Sequence, residues 1–332
     1  MLKSHKYRIK SKNFVKAWLL KRGFVLVESA RYSNVCVALA RAVQEILPVE
    51  EGQFKAGAEG IVFSKDRPLQ LHGLLKSYFE LCKDPPQLYI LHMASNPDYA
   101  RAYEQVKSYY QDRNIKFIRE NDFRDSLISI LNSIESEKVF FLVDDNIFIR
   151  TLDFSEFIDF DVTRQIPSLR LSPGLEYCYT LGVKQKAPAL RGLEKMSWNE
   201  PKMIWKWADG EYDWGYPLSV DGNCFSTKEM RVICRLLEYS APNSLEVSLQ
   251  WFRGIYERRD GLCYVKSKIV NIPFNKVQTE NDNLSSDISP SALLRYWQDG
   301  LEIDTGRYRG IENKSAHEEF DLYLKSRDAS NE

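Results

Sequence analysis

The sequence predicts an α/β fold on an open, mostly parallel central sheet with helices on both faces. Between Gly60 and Asn146, short apolar runs alternate with segments whose apolar residues follow a helical period. The runs are continuous rather than alternating, as strands covered on both faces are. Strand–helix–strand alternation of this kind forms parallel sheets with right-handed crossovers.

The elements follow in order. Residues 1–55 read as a basic N-terminal extension with a helix near Val35–Leu47. Ile61-Val62-Phe63-Ser64 is the first buried strand. Lys65-Asp66-Arg67-Pro68 turns the chain, and Pro68 suits the first position of a helix. Leu71, Leu74, Leu75, Tyr78 and Phe79 share one face of that helix. Leu88–Met93 is a second strand, and Asn96-Pro97 caps a helix with Tyr99, Ala102, Tyr103, Val106 and Tyr110 on one face. Ile115–Ile118 is a third strand. Asp122 precedes a helix carrying Phe123, Leu127, Leu131 and Ile134, and Val139–Val143 is the fourth strand. Beyond it the pattern is less regular. Strands are expected at Ser168–Leu171, Tyr177–Leu181 and Ile269–Phe274, and loops from Met196 to Asp221. Helices are expected after Ser226, from Pro242 to Tyr256, and over Ser291–Trp297, with a polar stretch at Asn281–Ser289.

Composition excludes several classes. Lysine plus arginine and aspartate plus glutamate each number 46, so no global field points to nucleic acid. No apolar run reaches membrane-span length, and no secretory signal opens the chain. The six cysteines are scattered without a CxxC pair, as in a reducing cytoplasm. Residues 1–22 carry eight basic residues and no acid, which suits a solvated basic helix or peripheral contact with an anionic membrane. GxGxxG and GxxxxGK[ST] are both absent, against a dinucleotide-binding Rossmann domain and a P-loop enzyme.

Asp144-Asp145-Asn146 ends the fourth strand. Ligands of open α/β folds bind at that carboxyl edge. Adjacent carboxylates repel, and oxygen ligands of this kind suit Mg²⁺ or Mn²⁺ carrying phosphates. Lys65, Arg67 and Asp66 on the first-strand loop are candidates for meeting phosphate or base. Arg164 and Arg170 are candidates for a forked contact with a diphosphate or for structural ion pairs.

In this order the parts resemble a GT-A fold glycosyltransferase, similar to glycosyltransferase family 2. The resemblance spans Gly60 to Gln278 and rests on four stretches: Ile61 to Pro68, Asp144-Asp145-Asn146 in place of the DxD motif, Asp221-Gly222-Asn223-Cys224-Phe225, and Asn243-Ser244-Leu245-Glu246. It implies a nucleotide-sugar-binding half at 56–150, an acceptor-binding half at 151–300 and a polar tail at 301–332. The implied enzyme, a hexosyltransferase, moves sugar from a nucleotide-diphosphate sugar to the hydroxyl of a saccharide or lipid-linked saccharide, with inversion and metal assistance. Its implied setting is bacterial-type surface polysaccharide or glycoconjugate synthesis in the cytoplasm.

The resemblance also implies roles. Asp144 and Asn146 hold Mn²⁺ or Mg²⁺. Asp145 meets ribose or sugar hydroxyls. Ser64, Lys65, Asp66, Arg67, Asp122 and Arg170 contact the nucleotide or its phosphates. Glu246 is the general base, with Asp221 the competing base. Trp205, Trp207 and Trp214, among the tryptophans of 198–214, suit an acceptor region because aromatic faces stack on sugar rings. Two departures stand out. Asn146 brings an oxygen without charge, which lowers metal affinity. None of His5, His72, His92 and His317 lies where the family's late metal-binding histidine is expected, and Asn275 or Gln278 would substitute. Rival readings are a non-catalytic carbohydrate-binding domain of the same fold and a sugar nucleotidyltransferase. The second normally has a glycine-rich loop after its first strand, and 64–68 has no glycine.

Overall fold

The computed structural model describes residues 29–47, 54–274 and 288–327. Residues 1–22, Asn275, Gln278 and most of the 281–289 stretch lie outside the described residues. Helix α1 (Ser29–Ile46) precedes strand β1 (Lys55–Lys65), helix α2 (Pro68–Leu81) and strand β2 (Leu88–Met93). Then come α3 (Pro97–Tyr109), β3 (Ile115–Arg119), α4 (Phe123–Ser133) and β4 (Ser136–Val143).

Local chemistry sets these boundaries. Pro68 begins α2 as predicted. The Asn96 side chain accepts from Asp98 N and Tyr99 N to start α3, and Asp122 accepts from Asp125 N to start α4. Each cap satisfies donors that the first helical turn leaves open.

Strands β4, β1, β2 and β3 lie side by side in that order, all parallel. A fifth, antiparallel strand, β9 (Cys224–Ser226), borders β4. Successive side chains go to opposite faces. Val62, Ile90, Phe140 and Leu142 join one core with α2 and α3. Ile61, Phe63, Tyr89 and Phe141 join the other with α4 and α5 (Thr227–Leu236). Both faces are therefore covered, which explains the unbroken apolar runs. Gly60 is required where the strands crowd: an added Cβ would lie 2.4 Å from Leu88 and 2.5 Å from the Phe140 ring.

The order of strands matters for function. From β1 the chain crosses to β2 and β3 on one side, then returns through α4 to β4 on the other. The crossover direction reverses between β1 and β4. Their carboxyl ends bound the crevice where such folds take ligands.

The second half adds β5 (Asn146–Phe148), β6 (Gln165–Ser168), β7 (Arg191–Leu193), β8 (Lys202–Lys206), α6 (Pro242–Leu249), β10 (Asp260–Tyr264) and β11 (Ile269–Asn271). β7, β8, β10 and β6 make a second sheet, and β5 pairs with β11. The region expected as loops from Met196 to Asp221 thus contains a strand, β8. The helix expected from Pro242 to Tyr256 is broken: α6 stops at Leu249, a tight turn covers Gln250–Phe252, and Arg253–Tyr256 is a separate helical turn. Helix α7 (Pro290–Gln298) packs beside α2 and α3. The expected polar tail is folded as far as residue 327. β12 (Leu301–Ile303) pairs with β13 (Leu324–Ser326), and Ile303, Tyr308 and Ala316 are buried.

Candidate active site

The loop after β1 is rigidly held. The Ser64 hydroxyl lies 2.7 Å from the Tyr103 hydroxyl, which accepts from Arg67 N at 3.1 Å. Asp66 has a φ of 54° and accepts from Ser95 N at 2.7 Å. Ser64 and Asp66 are therefore buried bracing groups, and Lys65 is exposed. The helix cap explains Asp122, which is exposed at the end of β3.

This loop aims Arg67 across the crevice. Its Nη1 donates to Asp144 Oδ1 at 3.0 Å and to Asp145 Oδ2 at 2.9 Å. Burial alone would lower the Arg67 pKa, but the two carboxylates more than offset it and raise it. Burial and the neighbouring Asp145 push Asp144 up to about 6, against the pull of Arg67. The Asp145 carboxylate also accepts from Asn271 Nδ2 at 2.8 Å.

Asn146 does not face the crevice. Its Oδ1 accepts from Val143 N at 3.0 Å and its Nδ2 donates to Asp221 Oδ1 at 2.7 Å. With both ends committed and the residue fully buried, its predicted part as a metal ligand is corrected to a brace between β4 and Asp221. Asp144 is already paired with Arg67. Among the described residues, no three histidine, cysteine or acidic side chains converge to hold a metal ion. The residues in this arrangement do not fit Mn²⁺ or Mg²⁺, because the cation between the carboxylates is the guanidinium.

A second cluster adjoins the first. Asp221 sits in a turn that Gly222 makes with φ 76°. An added Cβ on Gly222 would meet Ile269 at 2.6 Å, so both the turn and the close approach require glycine. His317 Nε2 lies 3.1 Å from Asp221 Oδ2. Arg170, buried rather than open to a ligand, lies 3.7 Å from Asp213 and 3.8 Å from Asp221. Burial would raise Asp221, but His317, Arg170 and Asn146 hold it below the usual carboxylate range. Burial would lower His317, and Asp221 raises it instead. A histidine therefore does reach this site, contrary to the sequence expectation. It comes from the segment expected to be a tail, and no local pattern marks it.

Glu246 belongs to the same cluster. Its carboxylate accepts from Val220 N at 3.1 Å. Burial raises its pKa, opposed by hydrogen bonds from Ser219 and Val220 and by the charge of Arg170. Ala241 occupies the cap position, and the Ser244 hydroxyl accepts from Ser240 N and Ala241 N, both at 2.9 Å. Glu246 is thus free of capping duty.

The tryptophans are corrected as well. Trp205, Trp207 and Trp214 are core residues, the most open only 3% exposed. Their rings meet at 4.7 and 5.0 Å, and Trp205 Nε1 donates to Trp214 O. No ring face is left for a sugar. Packing of β8 against the core uses the same apolar surface that sugar stacking would.

The chain matches no protein-family model. Its sequence is similar to a glycosyltransferase, the bifunctional glycosyltransferase pgtA of Dictyostelium discoideum, at 26% identity over 177 residues. That match covers 48% of this chain and 23% of that protein. Among solved structures, S. aureus TarS 1-349 in complex with UDP-GlcNAc is similar at a TM-score of 0.43 and 13% identity, over 73% of this chain and 71% of that one. GalNAc-T7 with UDP, GalNAc and Mn²⁺ has 0.39 and 10%, over 73% and 48%. A nucleotidyl transferase from Methanothermobacter thermautotroptrophicus has 0.36 and 9%, over 74% and 98%. No helix among the described residues is long and apolar enough to cross a membrane.

Proposed function

We propose that this chain is a glycosyltransferase that moves a sugar from a nucleotide-diphosphate sugar to an acceptor hydroxyl with inversion. One observation carries the reading. The crevice between the carboxyl ends of β1 and β4 joins an acid–arginine cluster (Arg67, Asp144, Asp145) to a second cluster holding Glu246, a half-buried carboxylate of raised pKa bonded to Val220 N. The sequence similarity to a glycosyltransferase over 177 residues supports it.

The donor's nucleotide lies along the β1 loop, near Lys65, Arg67 and Asp122, with Asp145 toward its hydroxyls. Glu246 takes the proton of the acceptor hydroxyl. The acceptor oxygen then bonds to the anomeric carbon, and the bond to the diphosphate breaks with its electron pair leaving on the diphosphate. Lys65 and Arg67 are the cations facing that charge. Glu246 suits the base better than Asp221. A raised pKa makes a carboxylate more basic, while Asp221 has its oxygens engaged by Asn146 and His317. Asp221 then orients His317 and Arg170. No step is assigned to Mn²⁺ or Mg²⁺, which would have to displace Arg67 from both carboxylates.

The acceptor is a saccharide, free or lipid-linked. Residues 1–22 supply contact with an anionic membrane in the second case. Equal sedimentation with anionic vesicles after their deletion would exclude that contact.

A panel of nucleotide sugars in a thermal-shift assay tests the donor reading. A donor at ~100 times its Kd should stabilise by about 2.7 kcal/mol. A flat response across the panel overturns the proposal. The rival reading, a carbohydrate-binding domain without catalysis, draws on Arg67 already neutralising the acidic pair. It predicts binding without release of nucleoside diphosphate.

A further inference from the structure

A groove of about 670 Å³ lies beside the second cluster. One wall is a small hairpin in which Tyr177–Cys178 pairs with Val183–Lys184. The left-handed Gly182, at φ 67°, sits just before its second arm. The other wall is the segment 314–319. This strap is tied down at both ends. Glu318 accepts from Lys314 N and Ser315 N, and Asn271 N donates to Ala316 O while Glu318 N donates to Asn271 O. It is tied to the hairpin as well, because Glu176 N and Tyr177 N both donate to Lys314 O and Tyr179 N donates to Ser315 Oγ. The groove is therefore preformed.

Two of its lining residues connect it to the second cluster. His317 and Gln185 line it. His317 touches Asp221, and Gln185 Nε2 donates to Asp213 Oδ2 at 3.0 Å. Both aspartates lie beside Arg170.

The lining is amphipathic in a particular way. Tyr177 is 36% exposed, and Tyr179 is oriented by its hydroxyl bond to Glu319. Lys184 and Lys314 share the lining with Glu176, Glu318 and Glu319. Mixed signs create no field for a polyanion or a polycation. Aromatic faces beside carboxylates and ammonium groups suit a ligand with C–H faces and many hydroxyls.

We propose that this groove is the acceptor subsite and that it takes an uncharged saccharide, with a ring on Tyr177 and the attacking hydroxyl delivered past His317. The proposal deepens the glycosyl-transfer reading and rests on it for the word acceptor. Saccharide binding in the groove stands by itself.

The test uses a panel of methyl glycosides of common hexoses and their disaccharides, at millimolar concentration, with the full chain and no nucleotide. Saturation-transfer NMR reads which ring protons touch the protein. At least one glycoside should bind, and Tyr177→Ala and Lys184→Ala should each weaken it about tenfold while melting like the wild type. Tyr109→Ala, an exposed tyrosine elsewhere, should leave binding unchanged. No binding by any glycoside, or binding indifferent to Tyr177→Ala, overturns the proposal. If glycosides bind through Tyr177 but no nucleotide sugar binds, the groove stands and the transferase reading falls. If a nucleotide sugar binds and the glycosides do not, the reverse holds.

Discussion

Glu246 and Asp144 illustrate how one residue type takes different parts in neighbouring settings. Both carboxyls have raised pKa values, but buried Asp144 is tied to Arg67 and half-buried Glu246 faces the Arg170 cluster. Glu246→Gln keeps the oxygen that accepts from Val220 N and removes the basic site. Transfer should fall about 10²–10⁴-fold with donor affinity and melting temperature nearly unchanged. A variant that turns over normally would move the base to Asp221, which Asp221→Asn would then show. Arg67→Ala leaves buried Asp144 and half-buried Asp145 without their cation and should destabilise the fold by about 3 kcal/mol, read from denaturant midpoints. The same variant should bind Mn²⁺ alone more tightly than the wild type does, measured by electron paramagnetic resonance of free Mn²⁺. Equal Mn²⁺ binding by both proteins would show that Arg67 does not occupy the cation's place. The places of Asp144, Asp145 and Glu246 in the fold were legible in the sequence, because the two aspartates end an apolar strand and Glu246 lies in a helix that Pro242 opens. The ion pairs of Arg67 and the arrival of His317 were not, because partners 77 and 78 residues away for Arg67, or at the far end of the chain for His317, leave no local pattern.

Elements differ in the same way. β1 to β4 and their helices were readable because proline, asparagine and aspartate caps mark the boundaries and the apolar runs are unbroken. β8 escaped because its partner β10 lies far along the chain and its short run is bracketed by Lys202 and Lys206, which resemble a loop. α6 was drawn too long because helical periodicity continues past Leu249 while the backbone tightens there. β2 carries its own pH sensitivity at its carboxyl end. The His92 ring packs 4.7 Å from Tyr103, and its Nδ1 has no hydrogen-bond partner. Burial, with Arg119 and Lys107 nearby and only Glu104 opposing, lowers its pKa to about 4. The unfolded chain therefore binds this proton more readily than the folded one. The stability involved is fully present above the ordinary histidine value and is lost as pH falls from about 6.5 toward about 4, a loss of order 3 kcal/mol. His92→Gln should flatten that part of the stability profile. A His92 resonance titrating near 6.5 in the folded protein would contradict it.

Across the whole molecule, the parallel sheet sets the reversal point, the β1 loop and β4 meet there, and the second half and the strap at 314–319 close over it. The sheet was predictable because it is built from successive segments. The closure was not, since it joins residue 271 to residues 316–318 and brings a segment expected to be solvated into the core. The claim that this crevice transfers a sugar is tested most directly by proton NMR of the pure protein with the nucleotide sugar that stabilises it and a glycoside that binds it. The anomeric signal of the first-formed product should have the configuration opposite to the donor's, with nucleoside diphosphate released in equal amount, and Glu246→Gln should slow both by the same about 10²–10⁴-fold. Binding with no release of nucleoside diphosphate, or a product that keeps the donor's configuration, would contradict the account.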